Sequence, residues 1–338
     1  MGKLHPKILE DKVLKVFLRG LSNDVLLGPL IGEDAAVVNI GCGKLLVIHP
    51  DPISGAIQYL GYLAVHIPSN DVAVTGAKPL YLTDVILLPE GWELSDLTRI
   101  TDQMSRAASS LGISIIGGHT EYAPGIQHPI VVSTSLGIVD EGKIVRTSGA
   151  KPGDYVLMTK YAGVEGTAVL ATDFRDELIK KGVDEEIIDA ASKFIYDVSV
   201  VKEAVALASR GIPTSMHDPT EGGLLGGLAE IAYASGCSIN LEVDNVLIHE
   251  VTKELCNALG IDPLKMLSSG SLIATVPPDR LDEALKVVKS LGVEASVIGR
   301  VVRRSNYLVK VLSEGKVVEI INDAFVEDEI MRLWSSSN

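Results

Sequence analysis

With 338 residues, 46% of them apolar and 22% charged, the chain has the balance of a soluble globular protein too long for one ordinary core, so two domains are expected. A count of 30 basic against 44 acidic residues leaves a net charge of −14. That field repels polyanions and excludes nucleic acid and acidic membrane surfaces as partners, while an anionic small molecule stays open if cations bridge it to carboxylates.

The cysteines Cys42, Cys237 and Cys256 are far apart, which fits a reducing compartment and excludes a disulfide scaffold or a zinc motif. Lys3, Lys7 and Lys12 interrupt any early apolar run, so no signal peptide is expected. The uncharged stretch from Pro52 to Asn70 contains Pro52, Gln58, His66 and Pro68 and makes a poor membrane span. Gly2 is no myristoylation site, because Pro6 stands where Ser or Thr is required. A cytoplasmic protein is expected.

Residues 7–18 have helical apolar spacing, stopped by Gly20. A glycine-rich loop from Gly28 to Gly32 leads into GEDAAVVNI and KLLVIHPD, two strands joined by the turn at Gly41–Gly43. Residues 54–67 read as a helix that Pro68-Ser69-Asn70 interrupts or re-caps. PLYLTDVILLP is a buried strand by length and branched content, Ser95–Leu111 an amphipathic helix, and ISIIGGHTE and PIVVSTSLGIV are further strands. KIVRTSGAKPGDYVLMT reads as strand, turn and strand, with the domain junction at Ala150–Asp154. Helices follow near 163–181, 184–194 and 197–209, then the loop MHDPTEGG opens a helix at 222–235. INLEVDNV, SLIATVPP, ASVIGRVV and YLVKVLSE are strands, with a helix at 279–291. Strands and helices mix without strict alternation, so the fold class is α+β in two halves, 1–149 and 150–338.

GIVDEGKI nearly matches a phosphate-binding loop, but Ile144 replaces the magnesium-binding hydroxyl and an extended segment follows, so Asp140–Lys143 reads as a turn. Three aspartates stand out instead. Asp34 lies among small neighbours, Asp51 closes an apolar strand, and Asp71 follows Asn70 at the start of a short segment ending at Gly76. Each alone is most simply a cap or turn residue, yet hard carboxylates at several strand ends are what magnesium prefers. The glycines of Gly117-Gly118-His119-Thr120-Glu121 would offer backbone N–H groups at a strand end. Asp218 to Gly223, DPTEGG, leads into a helix and is either an anion site or a plain capped start. The other histidines, His49 and His217 among them, read as structural or surface residues.

In this order GEDAAV, the aspartate after HP, NDVAVTGAKPLYL, GGHTE and DPTEGG resemble the PurM-like, AIR synthase-related superfamily over roughly residues 3–312. NDVAVTGAKPLYL, KPGDYVLMT, HDPTEGGLLGGLAEIA and LGIDPL place the strongest likeness on its HypE-like, hydrogenase-maturation branch. The resemblance implies an N-terminal α/β domain that forms a β-barrel with a second subunit, and a C-terminal α+β domain closing over ATP and magnesium. It makes Asp34, Asp51 and Asp71 metal-site aspartates. Gly32, Asn70, Gly117, Gly118, His119 and Thr120 are then expected at the nucleotide, with Gly222 and Gly223 on the loop facing substrate and Asp218 the residue acting there. His119 stands where several relatives carry Asp or Glu, with Glu121 nearby as the substitute ligand. The chain ends RLWSSSN rather than in the Pro-Arg-Ile-Cys of that branch, so dehydration on a C-terminal cysteine is not expected.

The expected activity is ATP-dependent phosphorylation of an amide or carboxylate oxygen, releasing ADP, in a homodimer that takes an unidentified substrate and a possible maturation-protein partner. The alternatives are an ATP-binding assembly protein with little turnover, or a thiamine-monophosphate kinase-like or AIR synthase-like enzyme.

Overall fold

The computed structural model describes residues 3–336. Gly2 and the final Ser337 and Asn338, which belong to the termini considered above, lie outside the described residues.

The first half builds one six-stranded sheet from β1 (Val25–Leu27), β2 (Ala36–Gly41), β3 (Lys44–Ile53), β4 (Lys78–Leu88), β5 (Ser114–Tyr122) and β6 (Ile130–Asp140). Their order is β1-β2-β3-β6-β4-β5, and only β4 and β5 run parallel. Side chains alternate across a strand. On β6, Val131, Ser133, Ser135, Gly137 and Val139 therefore turn inward. Helices α1 (Leu60–Val74) and α2 (Leu94–Leu111) cover that inner face, packing Leu60, Ala64, Ile100 and Met104 on Leu82, Ile86 and Val131. The outer face has no such cover in the single chain. Tyr81, Val85 and Ile138 are exposed on it, and every residue of the edge strand β5 is exposed as well, including Ile115, Ile116 and Tyr122.

The break expected at Pro68 does not occur. Helix α1 passes through it, and 14 of its residues are buried. Proline removes one N–H and costs roughly 3 kcal/mol in a helix interior. That loss is outweighed here because α1 is packed on both sides. Leu63 and Ile67 enter a core with Val169, Leu170 and Ile188 of the second half, and Ala73 and Val74 enter another with Leu157 and Ala204. The Ser69 hydroxyl donates to the Val65 carbonyl (2.6 Å). Asn70 and Asp71 are consequently mid-helix residues, not the start of a new segment.

The second half forms a seven-stranded sheet. Its strands are β7 (Tyr155–Thr159), β8 (Ser215–His217), β9 (Ser238–Glu242), β10 (Leu272–Val276), β11 (Ala295–Val302), β12 (Val309–Ser313) and β13 (Lys316–Ile321), in the order β13-β12-β9-β11-β7-β10-β8. Every residue of β10 is buried, so it carries the continuous apolar run of a strand covered on both faces. Helices α3 (Val164–Asp173), α4 (Val201–Ser209), α5 (Gly223–Ser235), α6 (Glu250–Leu259), α7 (Leu281–Ser290) and α8 (Glu329–Ser336) accompany it. The α+β architecture matches the sequence-based expectation.

Some local expectations fail. Residues 144–149 are not a strand: the Val145 amide donates to the Thr75 carbonyl (2.8 Å), and the Thr147 and Ser148 amides donate to Glu33 (3.1 and 3.2 Å). Those donors are spent on loop contacts rather than a ladder. The long helix expected at 163–181 breaks at Phe174, whose ring is buried. Strand β13 and helices α6 and α8 were not anticipated.

Candidate functional site

Asp34, in the loop before β2, meets the end of β8 from the other half. Its Oδ1 lies 2.5 Å from His217 Nδ1, and Thr147 Oγ1 donates to its Oδ2 (2.8 Å). The second ring nitrogen of His217 lies 2.8 Å from Glu230 Oε2 on α5, and Lys3 Nζ lies 3.4 Å from Glu230 Oε1. Burial alone would lower the His217 pKa, but the flanking carboxylates Asp34 and Glu230 hold it well above its ordinary value, which favours the charged ring between them. Burial would likewise raise Glu230, yet Lys3 and His217 bring it down to about 2.

Asp218, next to His217, is 1% exposed, and neither carboxylate oxygen has a hydrogen-bond partner. It therefore caps no helix. Burial, followed by the charges of Asp71 and Asp34, pushes its pKa well above the carboxylate range. Asp34, His217 and Asp218 bring ligand atoms within 4.8 Å of one another.

A second cluster of the same closeness adjoins it, formed by His49, Asp51 and Asp71. His49 and Asp51 share the inner face of β3 because they are two residues apart. They lie opposite Ser135 and Ser133 of β6, whose buried hydroxyl oxygens are also unpartnered. Asp71 reaches them from α1, with Oδ2 at 3.7 Å from His49 Nε2 and without a hydrogen bond. Burial and then Asp71 raise Asp51 to about 7, burial and then Asp34 raise Asp71 well above its usual range, and burial lowers His49. The row Asp51–Ser133 continues in register to Asp84 on β4, itself raised by burial, and to Gly118 on β5.

Four carboxylates thus converge from a loop, a strand, a helix and the DPTEGG loop. Crowded buried anions with bare oxygens are unfavourable by themselves, and hard oxygen donors of this kind fit a divalent cation such as Mg2+. The unpartnered oxygens of Asp71 and Asp218 are the specific observation behind that fit.

Two family models match the chain: AIR synthase related protein, N-terminal domain, over residues 32–139, and its C-terminal domain over residues 151–311. The carbamoyl dehydratase HypE of Rhizobium leguminosarum bv. viciae is 30% identical over 315 residues, covering 90% of this chain and 87% of that protein. The chain belongs to the PurM-like, AIR synthase-related family, on its HypE-like branch. Among solved structures it is similar to the HypE–HypF complex, with a TM-score of 0.75, 27% identity and 94% and 99% of the two chains covered. A hydrogenase maturation protein HypE in complex with ATP shares the fold, with a TM-score of 0.66 at 22% identity and 94% and 95% coverage.

Against this HypE-like frame, Asp34, Asp51, Asp71 and Asp218 are brought together, Gly118 lies in the row that runs from Asp51, and the other expected site residues do not join the cluster. Asn70 spends its amide on structure: Nδ2 donates to the Val198 carbonyl (2.8 Å) and Oδ1 accepts from the Val200 amide (2.9 Å). A Cβ on Gly32 would stand 3.0 Å from the Glu230 carbonyl, so that glycine serves the close approach of α5. The Gly222 amide donates to Asp328 Oδ2 (3.0 Å) and the Gly223 amide to the Thr220 carbonyl (3.1 Å), which removes both from any anion site. Gly117, Gly118, His119, Thr120 and Glu121 lie within β5 rather than beyond its end, on the exposed edge. His119 and Glu121, 3.1 Å apart, pair with Val85 and Leu87 on the outer face, so Glu121 cannot join the aspartates of its own chain.

His217 and His49, read from sequence as structural or surface residues, belong to the site. The available signals were the strand-end position beside Asp218 and the two-residue spacing to Asp51. Glu165, on the first turn of α3, was also missed. It is buried, accepts from the Ser269 hydroxyl, and is raised to about 7 by burial, with Asp328, Asp51 and Glu221 adding to the effect.

Proposed function

We propose that this protein is an ATP-dependent enzyme that phosphorylates an amide or carboxylate oxygen of its substrate and releases ADP, with residues 1–149 and 150–338 as its two domains. The convergence of Asp34, Asp51, Asp71 and Asp218 from both halves, with bare oxygens on Asp71 and Asp218, carries this reading. These four residues would hold Mg2+, which when bound neutralises and orients phosphate oxygens.

The chain's own part is positional. His217, fixed between Asp34 and Glu230, keeps Asp34 aimed inward, and Thr147 holds its other oxygen. Such a preformed arrangement needs little reorganisation at the moment of transfer. Glu165, buried beside the site and raised to about 7, can exchange a proton near neutrality. The uncovered outer face of the first sheet and the bare edge β5 support a homodimer built on that face.

The test is ADP release from ATP with amide and carboxylate acceptors, with Mg2+ and with chelator, beside thermal stabilisation by ATP under the same two conditions. Magnesium-dependent stabilisation with acceptor-dependent ADP is expected. Stabilisation without ADP from any acceptor would favour the assembly protein, and no stabilisation at all would sink the nucleotide reading.

A further inference from the structure

A site built from carboxylates repels the nucleotide phosphates it is proposed to hold, and a bound metal ion cannot contact every terminal oxygen. A protein cation that reaches the same place is therefore informative. The Lys3 backbone amide donates to Glu221 Oε2 (2.6 Å), pinning the N-terminal segment to the DPTEGG loop. Two residues on, His5 packs at a tilt against Phe325 (ring centroids 5.5 Å apart) and lies 3.5 Å from Asp323 Oδ2. The backbone is thus held at Lys3 and again at His5, and the Lys3 ammonium lies against Glu230, the partner of His217.

The Lys3 ammonium acts on Glu230, Glu221, Asp71 and Asp34 together, and on Asp51. Desolvation pulls its pKa down, but those carboxylates keep it above the ordinary lysine range, so it is charged at every physiological pH. Its one close ion pair among the described residues is loose: 3.4 Å to Glu230, which His217 already engages at 2.8 Å. A tight charge-assisted bond would be about 2.7–2.9 Å. Nearly half of the side chain, 47%, meets solvent. It is a point charge on a flexible stem whose backbone is pinned, the form in which lysine serves phosphate.

We infer that Lys3 is the phosphate-binding cation of this site, resting on Glu230 without nucleotide and moving onto the terminal phosphate oxygens when a nucleoside triphosphate binds. The inference rests on the nucleotide reading above and adds a residue and a specificity to it. The ammonium favours triphosphate over diphosphate, and it competes with the metal for the same carboxylates.

The experiment uses the full chain with Lys3→Met and Lys3→Arg. Affinities are measured for Mg2+ with a non-hydrolysable ATP analogue, for ADP with Mg2+, and for Mn2+ alone, with melting temperature as the folding control. Losing a charge-assisted contact predicts that Lys3→Met binds the analogue about tenfold more weakly or worse, and ADP less than about threefold more weakly. Mn2+ should bind equally or more tightly, and Lys3→Arg should restore most of the analogue affinity. Unchanged analogue affinity in Lys3→Met overturns the assignment. So does a parallel loss of analogue, ADP and Mn2+ binding, which would make Lys3 a structural clamp. Wild-type protein that binds Mn2+ but no nucleotide would sink the nucleotide reading and this assignment together.

Discussion

Asp218 and Asp328 both stand just before a helix of the second half, both are buried, and both have a raised pKa, yet they are differently furnished. Asp328 Oδ1 accepts from the Ile330 and Met331 amides (2.8 and 3.2 Å), and its Oδ2 accepts from the Gly222 amide (3.0 Å). It caps α8 and ties that helix to the DPTEGG loop, and burial lifts it only to about 6. Asp218 has no hydrogen bond on either oxygen, faces Asp71 and Asp34, and is raised well above the usual carboxylate range by burial and those two charges. A carboxylate saturated by amides stabilises the fold, whereas one kept bare among like charges costs stability and is retained for what it can bind.

The comparison breaks most sharply at Asp218→Asn. The substitution keeps the shape and removes a charge from a crowded site, so the melting temperature should hold or rise. Magnesium-dependent nucleotide affinity should fall by about 100-fold, the scale of removing one preorganised electrostatic contact. A variant that melts lower and binds normally would make Asp218 a cap after all. Asp328→Ala should do the reverse. It strands the Gly222 amide and uncaps α8, costing about 2–3 kcal/mol in denaturant unfolding, while metal affinity measured below the melting transition changes little.

A pH series sharpens the same contrast. Asp51 is raised from 3.8 to about 7, so the folded state keeps a proton that the unfolded state releases. Its contribution is fully present below about pH 4 and is lost as pH rises through about 7. His66, buried and lowered to about 4 with both ring nitrogens unpartnered, works in the opposite sense between about pH 4 and 6.5. The difference between wild type and Asp51→Asn isolates the first effect. The variant should gain on the order of 2 kcal/mol relative to wild type between about pH 5 and pH 8. Stabilisation by Mg2+, which needs ionised carboxylates, should grow over the same interval in the wild type. A flat difference curve would mean that Asp51 is already ionised at low pH.

Asp34 and Asp51 stand out in the sequence because small neighbours or a strand end mark a hard oxygen donor, whereas Asp71, which the sequence places at the start of a segment, lies within α1. The α+β class was legible from periodicity and from the turn residues between segments. Other features depend on contacts that no local pattern carries. Glu230 and Lys3 approach each other across most of the chain, and Asn70, adjacent in sequence to Asp71, turns to the backbone at 198–200 instead of the site. Pro68 looked like a break because a proline in a solvated helix is one; burial on two sides of α1 reversed that preference. The GGHTE segment misled for a related reason: paired glycines usually mark a turn, but here they continue an edge strand.

The smallest expected effects separate those two glycines. A Cβ on Gly118 would stand 2.6 Å from the Asp84 carbonyl oxygen and 2.8 Å from its carboxylate, so the β4–β5 ladder must shift to admit it. Gly118→Ala should cost about 1–2 kcal/mol, the range of a modest overpacking strain. At Gly117 an added Cβ meets nothing within 4 Å, and the residue is not among those with positive φ. Gly117→Ala should leave stability unchanged or raise it by up to about 1 kcal/mol, because alanine narrows the unfolded ensemble without straining the strand. Denaturant midpoints of the two variants measure the difference directly. Equal losses at both positions would mean that the segment is a strained turn, and that β5 ends before Gly117.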